Sequence, residues 1–280
     1  MINTLVQHAE LVKKVQKLFG LGDIDRMQLL QGGYLSKNFI LASGQQRWFL
    51  KQYRHKISQL VHQIKYAEQY FAQQGVPVIL PIPDAFGRPA FAHAQQWYSL
   101  FPFINGRIVD VGELTQIGRS TLAQQLARMH ELGAGCKASV QPLSMWNKDL
   151  FAMEVAEIEL RLAEVGTEDP VHALIAQVIE QKRRFVEQDG FTPESVRLPF
   201  DTLLHGDFTY KNVFFSDNQS RIDHVFDFEK AVRAPQAFEV ARAIFIHAFD
   251  DGWTDEHFYR AVEFLRAYRN SHPISLEDLA

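Results

Sequence analysis

Apolar positions in the first hundred residues fall mainly into short runs, whereas from Thr115 onward they recur every third or fourth residue. Leu5, Val12, Val15, Leu18 and Phe19 form an opening helical stripe that Gly20 ends. Residues 29–41 read as a hairpin bent around Gly32-Gly33, and 48–53 as an apolar strand interrupted by Lys51. A helix over about 59–74 follows, with Glu68 as its only acid. Proline-rich sequence and a turn at Phe86-Gly87-Arg88 lead to a strand over 97–104, ending at Asn105-Gly106-Arg107. In the helical part, Ile117, Leu122, Leu126 and Met129 line one face before His130. Two amphipathic segments near 146–165 and 170–189 come next, the second opening on Asp169 as N-cap and Pro170 as first helical residue. Leu203-Leu204, Val213-Phe214-Phe215 and 222–226 read as short buried strands, and a helix around Phe258, Val262 and Leu265 closes the second part. This order predicts an α+β chain with a β-rich N-terminal lobe over 1–104 and a mostly helical C-terminal lobe over 105–280.

At 280 residues and 46% hydrophobic content the chain can bury a sizeable core. The net charge of −4 hides an uneven distribution. Residues 1–100 carry 11 Lys and Arg against 5 Asp and Glu, while 101–280 carry 18 against 28. A basic front half suits a polyphosphate, and an acidic back half suits magnesium and a cationic substrate. The lone Cys136 excludes an internal disulfide and favours a reducing compartment. No apolar run reaches the roughly 18 residues of a membrane span, and the first residues lack a signal peptide's charged and apolar regions, so a cytoplasmic protein is expected.

The chemistry concentrates in two stretches, 203–212 (LLHGDFTYKN) and 222–229 (IDHVFDFE). Asp207 and Asn212 stand five positions apart on a short loop, and Asp227 ends an apolar run. Metal-assisted phosphoryl transfer needs this set: a carboxylate to take a hydroxyl proton, and an amide with a second carboxylate to hold magnesium on the phosphates. Taken singly, Asp207 reads equally well as a turn cap; for Lys51 the order of glycine loop, lysine strand and glutamate helix makes a solvated strand lysine the lesser reading. Three short strands converging on two acids and an amide read as a site. Asp223, inside the strand pattern, reads as a surface carboxylate. No Walker A sequence occurs.

His205-x-Asp207, then four residues and Asn212, followed downstream by Asp227-Phe228, matches the spacing of the kinase catalytic and metal-binding loops. With Gly206 where protein kinases carry Arg, the chain resembles the aminoglycoside phosphotransferase and choline kinase superfamily from about Leu29 to Leu265. The resemblance implies a two-lobed protein-kinase-like fold and ATP-dependent transfer of a phosphoryl group to a small molecule's hydroxyl. The acceptor classes it admits are amino alcohols, aminoglycosides, homoserine-like compounds and sugars. It implies Asp207 as catalytic base, Asn212 and Asp227 as Mg2+ ligands, and Lys51 as phosphate clamp oriented by Glu68. It further implies nucleotide-positioning residues Gly32, Gly33 and Ser36, adenine-facing Phe101, Phe103 and Ile104, and a bracing role for His205 beneath the loop. The helices near 146–165 and 170–189 would form an inserted wall over the acceptor pocket. Nucleic acid and membrane are not expected partners.

Two departures stand out: Thr209-Tyr210-Lys211 replaces the family's His-Pro-Gly, and Glu239-Val240-Ala241 replaces its Asp-Leu-Ala. Ser275-Leu276-Glu277-Asp278 reads as a helix start. Glu229, Glu239, Asp250, Asp251, Asp255 and Glu256 lie downstream of the metal loop, and with Glu229 foremost they suggest a positively charged acceptor. An inactive nucleotide-binding module of the same fold is the first alternative. The second, an atypical protein kinase, is weakened by the lack of an Ala-Pro-Glu segment.

Overall fold

A computed structural model describes residues 5–30, 36–54, 58–136, 142, 148–164, 170–188 and 199–274. The opening stripe forms α1 (Ala9–Phe19), whose Leu11, Val12 and Val15 are buried and whose C-cap Gly20 adopts left-handed backbone at φ 62°. Five strands then make one antiparallel sheet in the order β1 (Arg26–Leu30), β2 (Lys37–Ser43), β3 (Gln46–Gln52), β5 (Gln96–Pro102), β4 (Phe91–His93). Alternation along these strands decides what each face does. Phe39, Leu41, Leu50 and Leu100 join α1 in one core. Their neighbours Asn38, Ile40, Phe49, Lys51 and Phe101 point the other way and line a cleft.

The β4–β5 hairpin carries no turn signature. It bends on Ala94 and Gln95 at φ 45° and 60°, residues that rarely adopt left-handed backbone. Helix α2 (Ser58–Gln73) buries Val61, Ile64, Ala67 and Phe71. Helix α3 (Gln116–Ala134) starts on Thr115, whose hydroxyl accepts from Gly118 N–H. Its buried face holds Leu122, Leu126 and Met129, but Ile117, expected with them, is exposed because it sits in the first turn, beyond the packed face.

Three further pairs of elements complete the lobe. Strands β6 (Thr202–Leu204) and β9 (Val232–Ala234) form one ribbon, and β7 (Val213–Phe215) and β8 (Ile222–Val225) another, so the three expected strands divide between two sheets. A Cβ at Gly133 would collide with the Leu203 carbonyl, so glycine lets α3 lie directly on β6. Helices α6 (Gln236–Phe249) and α7 (Asp255–Ser271) pack on each other, and α7 on α3. The stripe expected on α7 is corrected. Phe258 and Val262 are exposed, while His257, Phe264 and Tyr268 are buried, a face rotated by one residue.

Residues 1–141 with 200–280 form one compact unit, and 142–199 form a second. The boundary expected at residue 104 falls within the first. The second holds α4 (Lys148–Glu164) and α5 (Pro170–Gln188), paired in part by Arg183 and Glu159 at 2.5 Å. Asp169 and Ser275-Leu276-Glu277-Asp278 lie outside the described residues. Among the described residues no helix is long and apolar enough to cross a membrane.

Candidate active site

The cleft between the sheet and the following loops has a volume of about 920 Å3, within the range of sites that hold a small ligand. Lys51, Glu68, Asp207, Asn212, Asp227 and Glu229 all line it, as do Ser36, Phe101, Phe103 and Ile104. Sequence separations of up to 193 residues are thus closed in one place. Gly32 and Gly33 lie outside the described residues.

The loop carrying Asp207 is braced from below. His205 is buried; its Nε2 donates to the Phe226 carbonyl at 3.0 Å and its Nδ1 accepts from Asp207 N–H at 3.2 Å. One imidazole therefore joins the two loops that carry Asp207 and Asp227, as the resemblance implied. Gly206 is required beneath it: its φ is 81°, and a Cβ there would strike the Lys230 carbonyl. Asn212 donates from Nδ2 to the Asp207 carbonyl at 2.8 Å, and its own carbonyl accepts from Phe226 N–H at 3.0 Å. Asp227 follows in left-handed backbone at φ 66°, a conformation that costs roughly 1 kcal/mol and turns the chain at the end of β8. Asp223 pairs with Arg221 at 2.7 Å, away from this cluster.

Both departures from the family pattern keep the loop supported. Thr209-Tyr210-Lys211 leads into a single 3-10 turn over Tyr210–Asn212. Tyr210 is buried, with its N–H donating to His247 Nε2 at 3.1 Å and its hydroxyl to Asp250 at 2.5 Å. Glu239 is buried between Phe208 N–H at 3.3 Å and His130 Nε2 at 3.0 Å, while His130 Nδ1 meets the Tyr268 hydroxyl at 2.7 Å. Burial opposes the Glu239 charge, but the His130 contact outweighs it and holds the carboxyl below its ordinary range. His130 is thus structural, as expected.

His247 gives this support a pH dependence. Burial holds its imidazole neutral, with a pKa lowered to about 3 from 6.5. The unfolded chain protonates near 6.5 and the folded one does not, so stability is complete above that pH and is lost as pH falls toward 3. Protonation would also remove the lone pair that accepts from Tyr210. From neutral pH to about pH 4.5 the protein is expected to lose about 2 kcal/mol more unfolding free energy than His247→Gln, measured by urea titration. Parallel pH curves for the two proteins would refute this.

The ion pairs correct two expectations. Lys51 Nζ contacts Asp227 at 2.6 Å and Glu229 at 3.1 Å. Burial alone would lower its pKa, but these two carboxylates raise it above the ordinary lysine value. Glu68 gives both its oxygens, at 2.6 Å, to Lys65, one turn earlier on α2. The partner of Glu68 is thus the buried cation of its own helix and not the Lys51 that the resemblance implied. Glu229 is held by Lys51 and by the Ser36 hydroxyl at 2.6 Å, so it is paired inside the cleft and is not a free carboxylate open to a cation. Ser36, expected at phosphate, is engaged by the same residue.

Sequence reasoning missed two residues at the centre of the site. Arg242 on α6 reaches one oxygen of Asp207 at 2.6 Å, and Lys230 reaches the other at 3.0 Å. Lys230 lay close to the Asp227 motif and could have been noticed; nothing in the spacing singled out Arg242.

Asn212 and Asp227 suit a magnesium ion. The Asn212 amide nitrogen is committed to the Asp207 carbonyl, which leaves Oδ1 as a hard ligand atom, and Asp227 adds a carboxylate at the same wall of the cleft. Magnesium characteristically takes one or two such oxygens together with phosphate. Among the described residues no group of three or more His, Cys, Asp or Glu forms an all-protein cage.

Known structures share this architecture. An amicoumacin kinase solved with AMP-PNP, Ca2+ and Ami superposes with a TM-score of 0.69 at 14% identity, over 95% of this chain and 78% of that one. A spectinomycin phosphotransferase in complex with ADP and spectinomycin gives 0.68 at 15%, over 93% and 79%. A microcompartment-associated aminopropanol kinase gives 0.62 at 16%, over 96% and 85%. A search of curated proteins found no match. These likenesses establish the two-lobed kinase-like fold, and a family model covers most of the sequence, residues 26–273: the chain belongs to the phosphotransferase enzyme family.

Proposed function

We propose that this protein transfers the γ-phosphoryl group of ATP to a hydroxyl of a small molecule. The observation that carries the reading is the convergence of Asp207, Asn212, Asp227 and Lys51 on one cleft, with the two loops tied through His205 and Asn212. Asp207 serves as the base that accepts the hydroxyl proton. Lys51 grips the nucleotide phosphates, and Phe101, Phe103 and Ile104 supply the apolar wall for the base. Asn212 and Asp227 would hold Mg2+, which neutralises charge on the phosphate oxygens during transfer. The buried, lone Cys136 fits a reducing cytoplasm. Isothermal calorimetry with ATP, with and without magnesium, tests the reading. Magnesium-dependent binding in the micromolar to millimolar range is expected, and its absence would defeat the kinase assignment.

A further inference from the structure

The acceptor end of the cleft is basic, not acidic. Arg242 and Lys230 occupy the two oxygens of Asp207, and Lys211, largely exposed, stands 3.5 Å from Asp250 in the same cleft. Three cations face two carboxylates there, and Asp250 already accepts from the Tyr210 hydroxyl. Five of the six carboxylates that suggested a cationic acceptor are otherwise engaged, Asp250 by the Tyr210 hydroxyl. Glu229 is bound by Lys51 and Ser36, Glu239 by His130, and Asp251 and Glu256 by Arg260.

Resting on the kinase reading above, we propose that the acceptor is an alcohol bearing an oxyanion, a carboxylate or a phosphate, which Arg242 and Lys230 recognise. Arg242 and Lys230 each sit against one oxygen of Asp207 and occupy space beside it that an acceptor hydroxyl needs. An oxyanion on the acceptor, carboxylate or phosphate, offers the Arg242 guanidinium an equivalent partner with two oxygens for its two-pronged donor face. Exchange of that partner frees Asp207 Oδ1. The acceptor O–H bond then breaks with its proton going to Oδ1, the oxygen bonds the γ-phosphorus, and the bond from that phosphorus to the β,γ-bridging oxygen breaks, its electron pair leaving on ADP. An ammonium group would be repelled by the same cations and offers nothing in exchange.

The rival role for Arg242 and Lys230 is to hold the phosphates of ATP, and kinetics separates the two. The full chain with magnesium and ATP would be assayed on matched acceptors of equal length: a hydroxy acid, its neutral amide, the corresponding amine, and an alcohol carrying a phosphate monoester. At least one oxyanion-bearing compound is expected to exceed the amide and the amine by about 10²-fold in kcat/KM. The carboxylate and phosphate arms identify which oxyanion is used. Arg242→Gln should bring that ratio to within a few-fold, mainly through the KM of the acceptor, with the KM for ATP unchanged; Arg242→Lys should restore part of it. Equal or better kcat/KM for the amine or amide overturns the proposal, as does an Arg242→Gln effect confined to the KM for ATP. Failure of the wild-type protein to bind magnesium-ATP would instead remove the kinase reading on which it rests. Preserved nucleotide binding without oxyanion preference would overturn the acceptor class alone.

Discussion

Asp207→Asn is expected to lower phosphoryl transfer by about 10²–10⁴-fold, the usual contribution of a positioned general base, while leaving magnesium-ATP affinity within a few-fold. The substitution is close to isosteric, and the loop does not depend on the carboxylate for its shape. Its backbone is held by His205 Nδ1 on the Asp207 N–H and by Asn212 Nδ2 on the carbonyl. What changes is the chemistry at the side chain: one oxygen that could take a proton becomes an NH2 that cannot, and this NH2 faces Lys230 or Arg242. The nucleotide side of the cleft, with Lys51 on Asp227 and Glu229, is untouched. Steady-state transfer assays and calorimetry on one preparation separate the two effects. A variant that kept more than a tenth of the transfer rate, or lost ATP binding in proportion to activity, would show that Asp207 is not the base.

Removing the Glu68 carboxylate should act on the fold before it acts on the nucleotide. Lys65 and Glu68 are both buried, and the lysine ammonium lies 5.1 Å from the centre of the Tyr53 ring and 4.8 Å from that of Phe101. Burial pushes each partner toward its neutral form, Lys65 downward and Glu68 upward in pKa, and their mutual contact opposes this. Taking away one partner leaves the other without compensation, which characteristically costs about 3–5 kcal/mol. Glu68→Ala is therefore expected to lower unfolding free energy by that order in urea titrations. Replacing both residues, as Lys65→Met with Glu68→Leu, should cost markedly less. In a double-mutant cycle Glu68 should couple to Lys65, and its loss should add to that of Lys51→Ala with little coupling. A Glu68 variant within about 1 kcal/mol of wild type, or strong coupling to Lys51, would restore the pairing that sequence order suggested.

The elements that sequence alone determined are those whose information is local. The α1 stripe, the strand around Lys51 and the spacing from His205 to Asn212 each lie within a short stretch of chain, where periodicity and loop length leave few options. The convergence of Asp207, Asn212 and Asp227 was legible for the same reason, since short strands bracket all three. Where legibility failed, the deciding contacts were distant in sequence or invisible to residue preference. Ala94 and Gln95 turn the β4–β5 hairpin because β5 is fixed against β3, which overrides the preference of both residues. The face of α7 followed from packing on α3 and α6, and its apolar residues gave a stripe one position away.

Charge was the quantity least readable from the chain. Composition placed an excess of acids in the second lobe, but not which of them a cation would neutralise. Tertiary structure brought Lys51 to Asp227 across 176 positions and Arg242 to Asp207 across 35, while Glu68 turned to Lys65 only three residues away. An ion pair in a low-dielectric cleft depends on ångström separations that sequence spacing does not encode. For that reason the residues that meet in the cleft could be named from the sequence, and the sign of the charge surrounding them was decided only by the fold.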